Sequence, residues 1–108
     1  MIDRYLKYER VVVKRVVLNR ENPKAVVPLN EEFEYVKFEQ VKGSEFVLAY
    51  INLPVAEQTE ENGIIVDIYN LELSELLVKD IAVELFIPPE EANDGSTHET
   101  EVQVILMK

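Results

Sequence analysis

Two extended apolar runs between Gly63 and Pro89 constrain the fold of this chain more than any other feature. Apolar, mostly β-branched residues occupy every second position of both runs, namely Ile64, Val66 and Ile68, then Ile81, Val83, Leu85 and Ile87. A period of two places such side chains on one face of an extended strand. Because Gly63 and the Pro88-Pro89 pair bound the runs, we predict two strands of a buried sheet.

Similar patterns predict five further strands, over residues 10–18, 25–29, 33–41, 46–55 and 101–108. A shift of phase within 33–41 is typical of a β-bulge. The tight turn at 42–45 predicts a hairpin that joins 33–41 to 46–55. Residues 46–55 are apolar on both faces and are the best candidate for a central strand, whereas Pro28 places its strand at an edge or a bulge.

The segment 71–79, between the two opening runs, fits two structures. The β-branched residues that flank it favour a crossing from one strand to the next, while Ser74 is also suited to cap one helical turn. About seven strands at roughly 8–14-residue spacing predict an antiparallel, all-β sandwich of jelly-roll or immunoglobulin-like type. A chain of 108 residues suits a single domain, in which 1–9 form a short helix or an arm.

A sequence resemblance points to the same class of fold. Residues 78–89, Val-Lys-Asp-Ile-Ala-Val-Glu-Leu-Phe-Ile-Pro-Pro, resemble strands of immunoglobulin-like adhesion modules. The resemblance covers about a tenth of the chain and implies a sandwich, without carrying over any functional residue.

The composition excludes several classes of protein. There is no cysteine, so disulfides, thiolate metal sites and cysteine nucleophiles are absent. The net charge of −10 argues against a nucleic-acid partner. No apolar run approaches the ~20 residues that cross a bilayer, and the charged first residues lack the apolar block of a signal peptide. We therefore expect no membrane association, and a location in the cytoplasm or within a larger assembly such as a virion.

The charge is distributed unevenly along the chain. Residues 1–24 contain seven basic and three acidic residues, a net charge of +4, whereas 25–108 contain four basic and eighteen acidic residues, a net charge of −14. Two interpretations fit this pattern. The basic strand pairs beside acidic strands within one molecule, or the two ends complement each other between copies, head to tail.

The sequence offers little for catalysis. Asp94, Ser96 and His98 supply the three residue types of a nucleophilic triad, but they lie close together in one polar turn, whereas triad members come from distant segments on a rigid frame. We expect a polar loop tip there. Carboxylates for glycoside hydrolysis are abundant, yet tryptophan platforms for a sugar are absent. We therefore predict that the protein is not an enzyme and that it has no cofactor.

A cation site is the second candidate in the same loop. Glu91, Asp94, Ser96 and Glu99 offer oxygen ligands on a flexible segment, as calcium prefers. Their spacing does not match the helix–loop–helix calcium motif. The alternative is a solvated acidic loop that protects a sheet edge from aggregation.

The candidate interface residues lie at the start of the chain. Arg4, Tyr5, Tyr8 and Arg10 combine arginine and tyrosine outside the clearest strands, a pairing that is enriched at protein interfaces. The resulting hypothesis is a non-enzymatic structural or assembly protein with protein partners, forming homo-oligomers or attaching to a larger particle, such as a viral capsid-accessory or adhesion-type module. Two alternatives are a ligand- or calcium-binding module and an acidic inhibitor or regulator of a basic partner.

Overall fold

A computed structural model describes residues 9–43, 45–66, 70–87, 89–91 and 94–108. Two short 3-10 turns, Val55–Glu57 and Pro89–Glu91, accompany eight strands in the described residues: β1 (Val11–Leu18), β2 (Lys24–Val27), β3 (Phe33–Lys42), β4 (Phe46–Ile51), β5 (Ile64–Ile65), β6 (Asn70–Val78), β7 (Ile81–Phe86) and β8 (Thr100–Met107). Within these ranges there is no helix of the length and apolarity needed to span a bilayer.

The strands form two antiparallel, four-stranded sheets that pack face to face. Sheet I has the order β1-β8-β3-β6, and sheet II has the order β2-β7-β4-β5. The first strand pairs with the last, the second with the second-last, and the pattern continues inward. The four pairs are β1–β8, β2–β7, β3–β6 and β4–β5. This nested pairing of eight strands is the jelly roll. The predicted antiparallel sandwich is therefore confirmed, and of the two types considered the topology is the jelly roll.

The core lies between the sheets and is built from alternate residues of each strand. In β8, Val102, Val104 and Leu106 are fully buried, and in β7 Ile81 and Val83 are almost fully buried, as their period of two predicted. The central position of β4, between β7 and β5, and the edge position of β2 are also confirmed. The buried residues of this core are Leu18, Val27, Phe33, Val36, Phe38, Val47, Ala49, Val66, Val78, Ile81, Val83, Leu85, Val102, Val104 and Leu106.

Two expectations about connections are wrong. Residues 71–79 are not a crossing or a helical turn, because β6 is a strand that pairs with β3. The turn at 42–45 does not close a hairpin, because β3 belongs to sheet I and β4 to sheet II. The β-bulge is confirmed by a register shift between Phe33 and Tyr35. Ile68, in the first opening run, lies outside the described residues.

Two residues with positive φ shape the connections between the sheets. Gly43 has φ +87°, and a Cβ atom there would lie 2.6 Å from Thr100 Oγ1. Asn52 has φ +58° and follows β4. Its Oδ1 accepts hydrogen bonds from the amides of Lys79 and Asp80 at 2.7 and 3.1 Å, and its Nδ2 donates to the carbonyl of Leu77 at 2.6 Å. Asn52 thus fixes the turn by which the chain passes from β6 to β7.

Candidate functional site

An exposed row of valines lies on the outer face of sheet I. Val11, Val13 and Val17 occupy alternate positions of β1, and 57%, 53% and 51% of their surfaces are accessible. Val12 and Val16, at the intervening positions, pack against the core. We call Val11, Val13 and Val17 the valine face. Because β1 is an edge strand of sheet I, this apolar row borders solvent on two sides.

The free edge of β1 is protected against pairing with another strand. Lys14 lies opposite Val104, a fully buried core residue, and therefore occupies an inward register position in the middle of this edge strand. An inward-pointing charge is one way in which natural sheets prevent edge-to-edge association. The outer face of β1, rather than its backbone edge, is therefore its candidate interaction surface.

Arg15, one of the two basic residues of β1, is partnered within the molecule. Arg15 donates from one guanidinium nitrogen to Glu101 Oε2 at 2.9 Å and from the other to Gln103 Oε1 at 3.1 Å. Gln103 in turn donates to Glu39 Oε1 at 3.0 Å, and Lys37 lies 3.4 Å from Glu39 Oε2. This ladder runs across β1, β8 and β3. It supports the interpretation that the basic strand pairs beside acidic strands in one copy.

Of the four predicted interface residues, Arg10 lies in the described part of the chain, and Arg4, Tyr5 and Tyr8 lie outside it. Arg10 Nε is 2.8 Å from Glu31 Oε2, and Lys108 Nζ is 2.9 Å from Glu31 Oε1. The hydrogen bond from Lys108, with the positive charges of Lys108 and Arg10, lowers the pKa of Glu31 against an opposing desolvation effect. Arg10 therefore anchors the start of β1 inside its own copy.

The outer face of sheet II is partly covered by the chain itself. Leu48, Tyr50 and Ala82 form a small buried cluster there, and Leu53 packs against it. A Cβ atom at Gly63 would lie 3.1 Å from Tyr50 Cε1, so the absence of a side chain lets the backbone approach this closely. The segment 53–63 therefore lies across part of the outer face.

Tyr50 holds a polar contact within this covered region. Its hydroxyl donates to Glu84 Oε1 at 2.6 Å, and Lys24 Nζ lies 5.2 Å from the centre of its ring. Burial, followed by the hydrogen bond to Glu84, raises the pKa of Tyr50 well above its usual value. The phenol is therefore neutral at physiological pH and serves the packing of sheet II.

Beside the covered region the outer face of sheet II opens into an apolar groove of about 340 Å³. We call it the Phe46 groove, after the residue that is 61% exposed at its margin. Ile65, 55% exposed, belongs to the edge strand β5. The groove is lined by Phe46, Leu48, Glu60, Gly63, Ile65 and Phe86. Glu60 is its one charged lining residue among those described.

His98 joins three separate segments at one end of the sandwich. Its Nδ1 lies 3.0 Å from Glu45 Oε2 and its Nε2 lies 3.0 Å from Asp94 Oδ1, while its side chain is only 6% exposed. Arg20 approaches the same Asp94 oxygen at 2.7 Å and donates from Nε to the Ser96 carbonyl at 2.8 Å. We call Arg20, Glu45, Asp94, Ser96 and His98 the His98 cluster. The expectation of a plain polar loop tip misses this network, in which the side chain of His98 is buried.

The oxygen of Asp94 is surrounded by donors. It accepts the backbone N–H of Ser96 at 2.8 Å in addition to its contacts with Arg20 and His98. The bond from the Ser96 amide is the main reason that the pKa of Asp94 is lowered; the hydrogen bond and charge of His98 and the charge of Arg20 act in the same direction against desolvation. The side chains of Arg20 and His98 therefore occupy the position that a metal ion would take on this oxygen.

The structure gives little support to the predicted cation site. Within the described residues, no three histidine or acidic side chains are grouped so that they could hold a metal ion. Of the four predicted ligands, Asp94 and Ser96 belong to the His98 cluster, and Glu99 is an exposed residue outside it. The side chain of Glu91 lies outside the described set.

The His98 cluster also lacks the geometry of a nucleophilic triad. Both ring nitrogens of His98 face carboxylates, whereas a triad needs the nucleophile at one of them. The hydroxyl of Ser96 accepts a hydrogen bond from the backbone amide of His98 at 3.1 Å. These contacts have a structural role: they hold the loop 94–99 against the turn that contains Arg20.

Arg20 and Glu45 were not predicted to belong to this cluster. They lie 78 and 53 positions from His98, and no spacing rule connects residues so far apart. The one available signal was that the chain contains a single histidine. The Phe46 groove was missed because an aromatic residue at a strand position is assigned to the core by default.

Comparison with known proteins adds no relative. No protein-family model matches this chain, and no curated protein matches it.

Proposed function

We propose that this chain is a non-enzymatic structural or assembly protein that forms homo-oligomers or attaches to a larger particle. The observation that supports the proposal best is the valine face, in which valine occupies three of the four outward positions of an edge strand and Arg15 occupies the fourth. Single exposed apolar residues are ordinary on soluble proteins, whereas contiguous apolar patches indicate interaction surfaces. Capsid-accessory or adhesion-type roles agree with the jelly roll by analogy of fold.

The surroundings of the valine face favour association through side chains. Arg15, between Val13 and Val17, is held in the ladder with Glu101 and Gln103. Its guanidinium group is therefore held toward β8, and the valines on either side of it stay accessible. Interfaces commonly combine apolar residues with polar groups whose hydrogen bonds are satisfied. Burial of a valine side chain contributes about 1.5–3 kcal/mol at most, so three half-exposed valines suit a modest, reversible contact.

Replacement of the valine face tests the proposal. In the triple variant Val11→Thr, Val13→Thr and Val17→Thr, threonine keeps the β-branched shape that suits a strand and removes part of the apolar surface. We expect size-exclusion chromatography with light scattering to show an oligomer for the natural chain and a smaller species for the variant. The melting temperature should change little, because these side chains face solvent.

A matched control separates this face from surface hydrophobicity in general. Val26 is 66% exposed on β2, away from the valine face, and Val26→Thr should leave the oligomer intact. A natural chain that stays monomeric at every concentration, or an oligomer that the triple variant does not weaken, contradicts self-association through the valine face.

A further inference from the structure

The Phe46 groove is an apolar surface that the described part of the chain leaves open. Phe46 and Phe86 are directly paired across β4 and β7, which places two aromatic rings side by side on the outer face of sheet II. Phe46 is 61% exposed and Ile65 is 55% exposed. An accessible aromatic pair in a concave surface is the usual form of a site that receives an apolar side chain.

The margin of the groove is acidic and well ordered by its own hydrogen bonds. Glu60 lines it, and Glu57 and Glu61 lie exposed in the same segment. Gln58 Nε2 donates to the Leu53 carbonyl and Asn62 Nδ2 donates to the Glu57 carbonyl, both at 2.8 Å. These contacts hold the segment in place. The groove is therefore preformed, and its charge favours a basic, apolar occupant.

Residues 1–8 have this chemistry. They contain Ile2, Tyr5, Leu6 and Tyr8 as large apolar or aromatic residues, with Arg4 and Lys7 between them. Tyrosine and arginine are enriched among the residues that dominate binding energy at interfaces. This segment thus offers both the side chains that fit the aromatic pair and the positive charges that complement Glu60.

The same copy cannot easily supply this occupant. Val11 pairs with Met107 at one end of sheet I, whereas Lys42, shortly before Phe46, pairs with Glu101 at the other end. The groove also lies on sheet II near β5, and β5 is at the opposite edge from β2, the strand that contacts β1.

The distance from the start of β1 to the Phe46 groove can be compared with the length of residues 1–8. An eight-residue strand spans roughly 23 Å, two packed sheets are about 10 Å apart, and the two strand spacings from β2 to β4 add about 10 Å across the sheet. Together these displacements give roughly 27 Å in a straight line through the protein, and a path around the surface is longer. Arg4 lies five residues before Glu9, and five fully extended residues reach at most about 17–18 Å. The segment is therefore too short to place Arg4 or Lys7 beside Glu60 of its own copy.

We propose that residues 1–8 of one copy bind in the Phe46 groove of a second copy, with Arg4 or Lys7 beside Glu60. This inference rests on the proposed function and names the partner surface. The contact joins two different surfaces and is therefore head to tail. Repetition of such a contact produces a closed ring or an open filament rather than a two-fold dimer.

Two variants with complementary defects test the proposal. Arg4→Glu with Lys7→Glu damages the segment and leaves the groove intact, whereas Phe46→Ser damages the groove and leaves the segment intact. Each variant alone should self-associate at least about tenfold more weakly than the natural chain, because each lacks one half of the contact. An equimolar mixture should form a heterodimer, since one working segment meets one working groove.

Native mass spectrometry and light scattering measure these outcomes. The exposed position of Phe46 should leave the melting temperature of Phe46→Ser nearly unchanged, and Val26→Ser, on the outer face of the same sheet, should associate normally. A second check is Glu60→Lys, which should weaken self-association and restore it when it is combined with Arg4→Glu and Lys7→Glu in one chain.

The results separate this inference from the proposed function. A natural chain that is monomeric overturns the head-to-tail contact and the homo-oligomer, and leaves attachment to a larger particle as the proposed function. An oligomeric natural chain that neither the segment variants nor Phe46→Ser weaken overturns the head-to-tail contact and leaves assembly through another surface. A mixture that stays monomeric while both variants are individually impaired also overturns the contact.

Discussion

Gly43 is the residue at which the fold leaves least space for a side chain. Its φ of +87° suits glycine, and a Cβ atom would lie 2.6 Å from Thr100 Oγ1 and 2.8 Å from the Glu99 carbonyl oxygen. Gly95 has a similar φ of +83°, but no atom lies within 4 Å of its Cβ position. A substitution at Gly95 therefore introduces backbone strain alone, whereas a substitution at Gly43 introduces backbone strain and a steric clash.

We expect Gly43→Ala to destabilise the fold much more than Gly95→Ala. The left-handed backbone costs either alanine roughly 1–2 kcal/mol. The contact with Thr100 and the Glu99 backbone adds about 1–3 kcal/mol at Gly43 alone, since the obstacle there includes main chain. Equilibrium unfolding in urea measures the difference. Equal losses for both variants would show that the strand connection after β3 relaxes freely.

Residue-scale features of the His98 cluster show the limit of sequence interpretation. Asp94, Ser96 and His98 lie in one loop, and their polar character was predictable. The burial of the His98 side chain was not, because it depends on Arg20 and Glu45, which the jelly roll brings from other turns. A charged side chain that lies in a turn gives no local sign of its distant partner.

At the scale of elements, Asn52 connects the end of β4 to the turn between β6 and β7. Three side-chain hydrogen bonds and a φ of +58° meet at this residue. Asparagine tolerates the left-handed region better than most residues and can also supply both a donor and an acceptor. Both the left-handed backbone and the side-chain hydrogen bonds therefore favour asparagine at this position.

We expect Asn52→Ala to lower the free energy of unfolding by about 2–4 kcal/mol. Each lost hydrogen bond accounts for about 0.5–1.5 kcal/mol, and the backbone strain adds to this. Asn52→Asp keeps the acceptor for Lys79 and Asp80 and should lose less. Urea unfolding of both variants provides the measurement. If aspartate and alanine proved equally destabilising, the acceptor role of Asn52 would be wrong.

The strands were predictable from the sequence because the alternation of apolar and polar residues is a local pattern. The pairing partner of each strand was not predictable, because it depends on residues far away in the chain. The phase of β7 and β8 identified their buried side chains, and the phase shift near Tyr35 identified the bulge. The hairpin between β3 and β4 failed, because a tight turn with glycine serves a crossing between sheets as well as a hairpin. β6 was mistaken for a crossing because its Leu-Glu-Leu-Ser-Glu-Leu-Leu pattern is compatible with either.

The edges of the two sheets are protected in different ways. β5 has two residues, β2 has four and is followed by Pro28, and β1 places Lys14 at an inward position. Short edge strands, proline and inward charges all oppose backbone pairing with another chain. At three of its four sheet edges, β6 being the fourth, the protein therefore limits strand addition while it keeps apolar side chains exposed on its outer faces.

At the scale of the whole molecule, acid should weaken the fold through at least two carboxylates. The pKa of Asp94 is lowered from its usual 3.8 and that of Glu31 from its usual 4.5. A carboxyl whose pKa is lower in the folded state contributes stability above its unfolded value, and that contribution is lost as pH falls through the folded value. Stability from both residues is thus present at neutral pH.

We expect the free energy of unfolding to fall below about pH 4.5 and to fall less steeply in Asp94→Asn, because asparagine does not titrate. Urea unfolding at a series of pH values between 7 and 2 measures both curves. Glu90→Gln, at an exposed position, is the control and should reproduce the natural curve. An acid limb that is the same in all three proteins would mean that Asp94 carries no linked proton.

The position of β8 has a consequence for synthesis of the chain. β8 lies between β1 and β3 in sheet I, yet it is the last of the eight strands to leave the ribosome. Among the described strands, β1 pairs with no other, so its backbone stays unpaired until β8 has been translated. Pairing over such a long stretch of sequence is slow. The nascent chain therefore exposes the β-branched residues of β1 for longer than those of any strand that pairs with a near neighbour.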